Sequence, residues 1–195
     1  MAAISILIIA GTGRPYLIHA LRCLFTQDYG NWEALVIDAT GTSSDSELVR
    51  QQFQQVSEDA RFRWLRYPHE TGFPPYASRK WNFGIAHTDG DLIAFLDDDD
   101  MKGGGWLTQM AQPFGDGKTV TTLCAGKLID ANGTEQGVLF NERPSLARGM
   151  LVEGPNFVTT GQLMIRRNIL VELGCFDEQL PCAEDYDLVL RLCEH

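Results

Sequence analysis

The chain has 195 residues, of which 44% are hydrophobic and 22% charged, an ordinary composition for one soluble globular domain. Its net charge is −10, from 16 basic and 26 acidic side chains, which argues against nucleic-acid binding because that needs a basic surface. No apolar run is long enough to cross a bilayer, and no basic region precedes the first apolar run, unlike in a signal peptide. We expect a cytoplasmic protein, with peripheral attachment at the inner membrane face left open.

Residues 1–100 predict strands that alternate with helices. Short branched apolar runs indicate buried strands, which we place at 4–10, 32–38, 62–67 and 92–96. Helices are predicted after Pro15, which suits a first helical turn, around 48–56, and near 77–87. The run 40–46 and the run 69–75 are predicted loops. Such alternation is typical of a mostly parallel sheet with helices on both faces.

Beyond residue 100 the pattern is less regular. A helix is predicted from Trp106, and strands are predicted at 120–129, 136–141 and 162–165, with a hairpin turn at Asn132-Gly133 between the first two. Short helices follow at 169–173 and 184–193. We expect a single domain over 1–195, with a nucleotide-binding half at 1–100 and an acceptor-binding half at 101–195.

Four consecutive acids, Asp97 to Asp100, follow the predicted strand at 92–96. Open α/β sheets bind ligands at the carboxyl ends of their strands, and so much like charge is costly unless a cation or a shared proton relieves it. Hard oxygen ligands suit Mg²⁺ or Mn²⁺, ions that commonly bridge a protein to phosphate. The cluster therefore predicts a metal-dependent site for a phosphorylated substrate. An acidic surface turn or a helix N-cap is the alternative.

Two further acidic sites lie at the ends of predicted elements, one before and one after the Asp97–Asp100 cluster. Asp38 ends the second predicted strand, and Glu184-Asp185 opens the last predicted helix. Together with the Asp97–Asp100 cluster, this order resembles the family 2 glycosyltransferases, whose GT-A fold is a Rossmann-like α/β domain with a mixed, mostly parallel sheet flanked by helices. The resemblance covers nearly the whole chain, through the segments 4–14, 36–38, 82–86, 89–100, 174–177 and 183–188.

The resemblance implies transfer of a sugar from a nucleotide-diphosphate sugar to an acceptor hydroxyl with inversion. A divalent ion would stabilise the charge of the leaving diphosphate. By similarity Asp99 is the direct metal ligand, Asp97 shares the metal motif, and Asp97 or Asp98 faces the ribose or a metal-bound water. Asp185 matches the general base, and Glu184 would orient a substrate. The alternative is that Glu184 and Asp185 only favour the helix N-terminus through its dipole.

The nucleotide is expected across the end of the first strand. Ala10, Gly11 and Thr12 match the segment whose backbone contacts the base, where glycine permits a close approach. Asp38 matches the first acid of a paired-acid motif that contacts base or ribose. Ala39 replaces the second acid, which leaves the base open, with a UDP-sugar as the first candidate.

Several other side chains carry two interpretations. Arg79 or Lys80, on the helix before the acid cluster, would meet the diphosphate or lie on a solvated face. Trp81 stands where many relatives have a basic residue. Trp106 would stack on a sugar or pack in the core. Gln162 is expected near the donor sugar.

The acceptor stays open between a saccharide, a lipid-linked sugar and a protein. A sugar-nucleotide-binding or assembly subunit of the same fold, with little turnover, is the main alternative to an enzyme. A haloacid-dehalogenase-type phosphatase also uses a strand followed by Asp-x-Asp, but its motif lies near the start of its domain. Relatives usually continue past the Glu-Asp helix, so a chain ending at His195 suggests a minimal enzyme, a shortened form or a partner-dependent subunit.

Overall fold

The structure is a computed structural model that describes residues 1–11, 15–68, 76–130, 132–138 and 158–195. The predicted loop at 69–75 and the end of the predicted strand at 136–141 lie outside the described residues. The strands are β1 (Ile4–Ala10), β2 (Trp32–Asp38), β3 (Phe62–Arg66), β4 (Leu92–Asp97), β5 (Thr121–Leu123), β6 (Lys127–Ile129), β7 (Glu135–Val138) and β8 (Leu163–Arg166). The α-helices are α1 (Leu17–Leu24), α2 (Ser43–Gln54), α3 (Ala77–Ala86), α4 (Trp106–Ala111), α5 (Arg167–Glu172) and α6 (Glu184–Glu194). Short 3-10 helices span Gln112–Asp116 and Thr160–Gln162.

The main sheet has the strand order β3-β2-β1-β4-β8-β5. Strand β1 pairs in parallel with β2 and β4, and β2 pairs in parallel with β3. Strand β8 runs antiparallel to both β4 and β5. This confirms the predicted mixed, mostly parallel sheet flanked by helices. Because β1, β2 and β4 are parallel, their C-terminal ends lie at the same edge of the sheet.

Two predicted elements differ from the structure. The strand expected at 120–129 is divided: β5 belongs to the main sheet, whereas β6 pairs with β7 in a separate two-stranded sheet. The helix expected from residue 48 begins at Ser43, because the Thr42 hydroxyl accepts a hydrogen bond from the Asp45 amide (3.1 Å) and caps it. Polar residues that suggested a loop thus form the first turn. The predicted turn at Asn132-Gly133 does join β6 to β7, with Gly133 at φ +80°.

Alternate residues of each strand face opposite helical layers. Leu92, Ala94 and Leu96 of β4 pack in the hydrophobic cluster that contains residues of α1, α2 and α4. Ile93 and Phe95 pack in the cluster that contains residues of α3, α5 and α6. The same alternation directs the next residue, Asp97, to the α3–α6 side of the sheet, where the two acids at the start of α6 also lie.

No helix in the described part of the chain is both long and apolar enough to cross a bilayer.

Gly90, in the turn before β4, offers a test of the packing. A Cβ at this buried position would lie 2.6 Å from both the backbone N and the Oγ of Ser5, and the Gly90 amide donates to that Oγ at 2.9 Å. Gly90→Ala should therefore destabilise the fold by about 1–3 kcal/mol. Thermal unfolding measures this as a fall in Tm of roughly 2–10 °C.

Gly41→Ala is the matched control, because a Cβ at Gly41 would meet open space. Equal melting temperatures for the two variants would contradict the packing described at Gly90.

Candidate active site

A cleft of about 350 Å³ opens at the carboxyl edge of the sheet. It lies where β1, α3, β4, the turn before β8 and the start of α6 converge. Its lining residues are Ile9, Gly11, Ala77, Trp81, Asp97, Asp98, Thr159, Thr160, Glu184 and Asp185. The structure therefore brings two groups of acids into one cleft with the end of β1. One group is the predicted donor-binding acids at the end of β4, and the other is Glu184 with the predicted general base Asp185 at the start of α6.

Asp97 is the most perturbed carboxyl group described at the cleft. Burial, followed by repulsion from Asp100, raises its pKa to about 6, and the nearby Lys102 ammonium opposes the shift. Gly161 lies against this carboxyl: a Cβ there would be 2.7 Å from Asp97 Oδ2. The absence of a side chain at Gly161 is therefore what allows the turn before β8 to approach the acid cluster.

The acid cluster borders a second, larger cavity of about 1130 Å³. Asp99 and Asp100 line this cavity, whereas Asp97 and Asp98 line the first cleft. The Asp100 amide donates to the Asp97 carbonyl at 3.2 Å, which folds the four acids into a tight turn. Lys102 Nζ donates to the Gly161 carbonyl at 2.7 Å. This hydrogen bond connects the segment after the acid turn to the turn before β8.

The carboxylates at this turn would fit a divalent ion that takes its remaining ligands from the substrate and from water. Among the described residues no three His, Cys, Asp or Glu side chains are grouped as a metal site. Mg²⁺ is usually bound by one or two carboxylates, with substrate phosphates and water completing the coordination. The raised pKa of Asp97 comes from desolvation and like charge, which a nearby cation would relieve. Asp97 and Asp99 are the predicted ligands.

Asp38 ends β2 on the opposite side of the sheet from Asp97 and is fully buried. Its Oδ1 accepts from the Thr40 amide (3.1 Å) and hydroxyl (2.6 Å), and its Oδ2 accepts from the Ser46 hydroxyl (2.5 Å). Arg66 Nη1 lies 3.6 Å from Oδ2. These contacts join β2 to α2 and β3, so a direct contact of Asp38 with a nucleotide stays a prediction.

Of the segment predicted to contact the nucleobase, Ala10 lies beside Asp38 in the sheet. Ala10 is buried, and its carbonyl accepts from the Ala39 amide at 3.0 Å. Gly11 is exposed and lines the cleft. Thr12 lies outside the described residues. Only Gly11 of this segment is therefore placed against the cleft by the described contacts.

The two cations of α3 have different surroundings. Arg79 Nη1 lies 3.8 Å from Glu178 Oε2. Lys80 is half-buried, and burial lowers its pKa; its ammonium has no ion pair with the residues that the structure describes. Lys80 shares a helix face with Ala77, which lines the cleft, at a spacing of three residues. Of the two, Arg79 is the one with an ion pair among the described residues, and neither side chain is itself among those that line the cleft.

Trp106 and Gln162 both line the second cavity. The Trp106 side chain is 7% exposed and packs in the core cluster that contains residues of α1 and α4. Of its two interpretations, this packing agrees with the one in the core. Gln162 uses both ends of its amide: Nε2 donates to the Cys124 carbonyl and Oε1 accepts from the Thr159 amide, each at 2.9 Å. Sugar contacts by either side chain stay predictions.

Glu184 and Asp185 form the first turn of α6 and are half-buried. The preceding residue, Ala183, is left-handed (φ +61°), and its carbonyl accepts the Asp187 amide at 3.1 Å. Asp187, in the same turn, forms an ion pair one turn further along the helix, with Arg191 Nη2 2.7 Å from Asp187 Oδ2. Acids in this position also stabilise a helix through its dipole, so the geometry accommodates both predicted roles of the pair.

Lys102, Thr159 and Ala77 belong to the site but were not predicted from the sequence. Lys102 carried a usable signal, because it is a lone cation two residues after four acids. Thr159 and Ala77 carried none, since a small or hydroxylated side chain becomes part of a cleft only through the fold.

The pKa of Asp97 predicts how stability without divalent ions depends on pH. The folded pKa of about 6 lies above the ordinary 3.8, so ionising Asp97 opposes folding. This cost is absent below pH 4, grows between pH 4 and 6, and is complete above pH 6. Asp97→Asn should therefore raise the free energy of unfolding at pH 7.5 by about 2 kcal/mol. The corresponding rise in Tm is roughly 4–8 °C.

Thermal unfolding in a chelator across this pH range measures the effect, and the variant at pH 4 is the internal control. A gain of the same size at pH 4 and pH 7.5 would show that it does not come from the carboxylate charge.

Comparison with known proteins places the chain in a family. Pre-mycofactocin glycosyltransferase of Mycobacterium tuberculosis is 32% identical over 139 residues, 67% of this chain and 28% of that protein. The O-antigen biosynthesis protein RfbC of Myxococcus xanthus is 27% identical over 182 residues, 92% of this chain and 13% of that protein. The chain thus spans less than a third of the length of these two relatives.

Solved structures show the same fold. The crystal structure of S. aureus TarS 1–349 superposes with a TM-score of 0.73 at 18% identity, covering 97% of this chain and 54% of that one. The mannosyltransferase PcManGT of Pyrobaculum calidifontis, in complex with GDP-Man and Mn²⁺, has a TM-score of 0.67 at 16% identity, covering 92% and 48%. A family model described as Glycosyl transferase family 2 matches residues 5–174. The chain therefore belongs to glycosyl transferase family 2, and its fold is GT-A.

Proposed function

We propose that the chain transfers a sugar from a nucleotide-diphosphate sugar to an acceptor hydroxyl. The observation that carries this proposal is the single cleft lined by Gly11, by Asp97 and Asp98 of β4, and by Glu184 and Asp185 of α6. Solved structures of similar fold support the donor class, because TarS is solved with UDP-GlcNAc and PcManGT with GDP-Man and Mn²⁺. A phosphatase of the haloacid-dehalogenase type would leave the acids of α6 without a role.

The proposed reaction is a single displacement. The acceptor oxygen attacks the anomeric carbon as the bond from that carbon to the diphosphate oxygen breaks, and the electron pair of that bond leaves with the diphosphate. The acceptor proton passes to the carboxylate of Asp185, the general base. Glu184, beside it at the cleft wall, orients the acceptor or the donor. Attack opposite to the leaving group inverts the anomeric centre.

The proposed cofactor is Mn²⁺ or Mg²⁺, held by Asp99 and Asp97. When bound, the ion supplies positive charge to the departing diphosphate. Asp98 lines the same cleft as Asp97 and is assigned to the ribose or a metal-bound water. Lys80 is the proposed second cation for the diphosphate, because it is half-buried on the face of α3 that carries Ala77 into the cleft.

A UDP-sugar is the first candidate donor, and Ala39 in place of the second acid keeps the base open. The acceptor is a saccharide, a lipid-linked sugar or a protein. The name of the M. xanthus relative, an O-antigen biosynthesis protein, favours a saccharide acceptor and a role in polysaccharide biosynthesis. The alternative of a binding or assembly subunit predicts the same donor binding without turnover.

Donor binding and turnover are tested together. We expect one of UDP, GDP, dTDP or CDP, or its sugar, to raise the Tm only with Mn²⁺ or Mg²⁺, because a ligand specific for the folded state stabilises it by mass action. Asp99→Asn should abolish that shift. Asp185→Asn should keep the shift and lower the transfer rate by about 10²–10⁴-fold. Differential scanning fluorimetry and a release assay for the nucleoside diphosphate measure the two effects.

Glu194→Gln is the matched control for Asp185→Asn, since it removes an exposed carboxylate from the other end of the same helix, away from the residues that line the cleft. Donor binding without transfer to any acceptor would favour the binding subunit. A metal-independent shift would contradict the metal assignment.

The two cations of α3 are distinguished by a matched pair of variants. Lys80→Met should weaken binding of the stabilising nucleoside diphosphate by about 10–100-fold, because a charge-assisted hydrogen bond of about 1.5–3 kcal/mol is lost. Binding of the parent nucleoside should not change. Arg79→Met should alter either affinity by less than about threefold, because the Arg79 guanidinium pairs with Glu178 rather than with the ligand.

Isothermal titration calorimetry with the nucleoside and its diphosphate measures both variants. A larger loss of diphosphate affinity in Arg79→Met than in Lys80→Met would reverse the assignment.

A further inference from the structure

Asn82 of α3 belongs to a segment that the proposed reaction leaves without a role. Its side-chain amide binds the backbone of Phe176 on both sides: Oδ1 accepts from the Phe176 amide at 3.0 Å, and Nδ2 donates to the Phe176 carbonyl at 2.9 Å. Nδ2 also donates to Glu178 Oε1 at 3.0 Å. Both amide hydrogens of Asn82 are thus used on a turn that is 94 residues away in the chain.

The other side of that turn is held from α6. Arg191 Nη1 donates to the Leu173 carbonyl and Nη2 donates to the Cys175 carbonyl, each at 2.8 Å. The same guanidinium is held in place by Asp187, with Nε–Oδ2 at 2.9 Å and Nη2–Oδ2 at 2.7 Å. We name residues 173–176 the junction turn, because hydrogen bonds from α3 and from α6 meet on it.

The junction turn has a backbone that needs such support. Gly174 and Cys175 are both left-handed, with φ of +81° and +60°. The left-handed conformation costs about 1–2 kcal/mol for a residue with a side chain, and such residues persist where surrounding contacts hold them. Among the described residues, the side chains of Asn82 and Arg191 supply such contacts. They add to the backbone bonds from the Gly174 and Cys175 amides to the Val171 and Leu170 carbonyls, at 3.0 and 2.9 Å.

The turn also places an aromatic ring beneath the cleft. Phe176 is 1% exposed, and its ring meets Phe95 edge-to-face at 5.6 Å between centroids. Phe95 meets Trp81 in the same way at 5.2 Å. Trp81 lines the cleft, and Phe95 lies two residues before Asp97 on the same side of β4. The junction turn is therefore packed against the floor of the site as well as against both helices.

We propose that Asn82 and Arg191 are positioning residues that fix α6, and with it the proposed base Asp185, relative to the donor side of the cleft. Arg191 lies on the same helix as Asp185, and Asn82 lies on the helix that carries Trp81 into the cleft wall. Release of the junction turn would let the start of α6 move while leaving the acids of β4 in place. A misplacement of about 1 Å can lower a rate by about 10²-fold. The inference rests on the proposed function, since it assigns these residues to the geometry of that reaction.

Asn82→Asp is the sharpest test, because the two side chains have the same shape. The carboxylate can still accept from the Phe176 amide, but it presents an oxygen to the Phe176 carbonyl and to Glu178 where Asn82 donated. We expect kcat to fall by about 10-fold or more. The KM for the donor and the metal-dependent thermal shift should stay within about twofold of the wild type. Hydrogen exchange should become faster at the amides of the junction turn and the first turn of α6, and not in β1 or β4.

Asn31→Asp is the matched control, because it makes the same change of charge in an exposed segment where Asn31 donates to the Met1 carbonyl. Its kcat and exchange pattern should equal those of the wild type. Arg191→Lys is the second variant in case Asn82→Asp does not fold: lysine keeps the charge but cannot bind both carbonyls and Asp187 as a fork. It should show the same selective loss of kcat.

The possible outcomes separate this inference from the proposed function. Exchange that rises evenly through the protein, or a kcat equal to that of the wild type, would overturn the positioning role. If the wild type transfers no sugar to any acceptor, the proposed function fails. Faster exchange confined to the junction turn and α6 would then still support the mechanical link, and unchanged exchange there would overturn it.

Discussion

The site depends on holding several carboxylates together at the end of a buried strand. Desolvation, followed by repulsion from the neighbouring acids, raises the pKa of Asp97. Lys102 offsets part of that negative charge, and its ammonium binds the Gly161 carbonyl. Gly161 in turn leaves room for the Asp97 carboxyl. The remaining negative charge would favour the proposed divalent ion, since an opposite charge restores the ionised form of the carboxyl group. That ion, and not the acids themselves, would attract the diphosphate.

The period of two along a strand explains which acids can act together. Asp97 continues the series Ile93 and Phe95 towards α3 and α6, whereas Asp38 ends β2 on the other side, where Thr40 and Ser46 bind it. A residue that looks equivalent in the sequence, an acid at the end of a parallel strand, therefore has different surroundings in the fold. One faces the cleft, and the other joins β2 to α2.

The two halves of the site come from distant parts of the chain and are connected through the junction turn. The acids of β4 are fixed by a sheet with extensive backbone pairing to β1 and β8, but α6 is outside that sheet. Its orientation relies on the packing of Leu188, Val189 and Leu192 in the core and, as we propose, on the side-chain bonds from Asn82 and Arg191 to the backbone of the turn. The proposed reaction requires a fixed distance between the two halves, because the donor's anomeric carbon and the acceptor hydroxyl that the base deprotonates must meet in one place.

The sequence by itself determined the strand and helix order, the mixed parallel sheet and the acid cluster, because branched apolar runs and consecutive acids are local signals. The spacing of Asp187 and Arg191 is also local, because their ion pair joins residues one helical turn apart. Only the tertiary structure decided which cation of α3 is already paired, that Asp38 is enclosed, and that Gly161 and Lys102 support the acid turn. These features depend on contacts between one side of a strand or helix and residues far away in the chain. A local sequence pattern carries no information about such contacts.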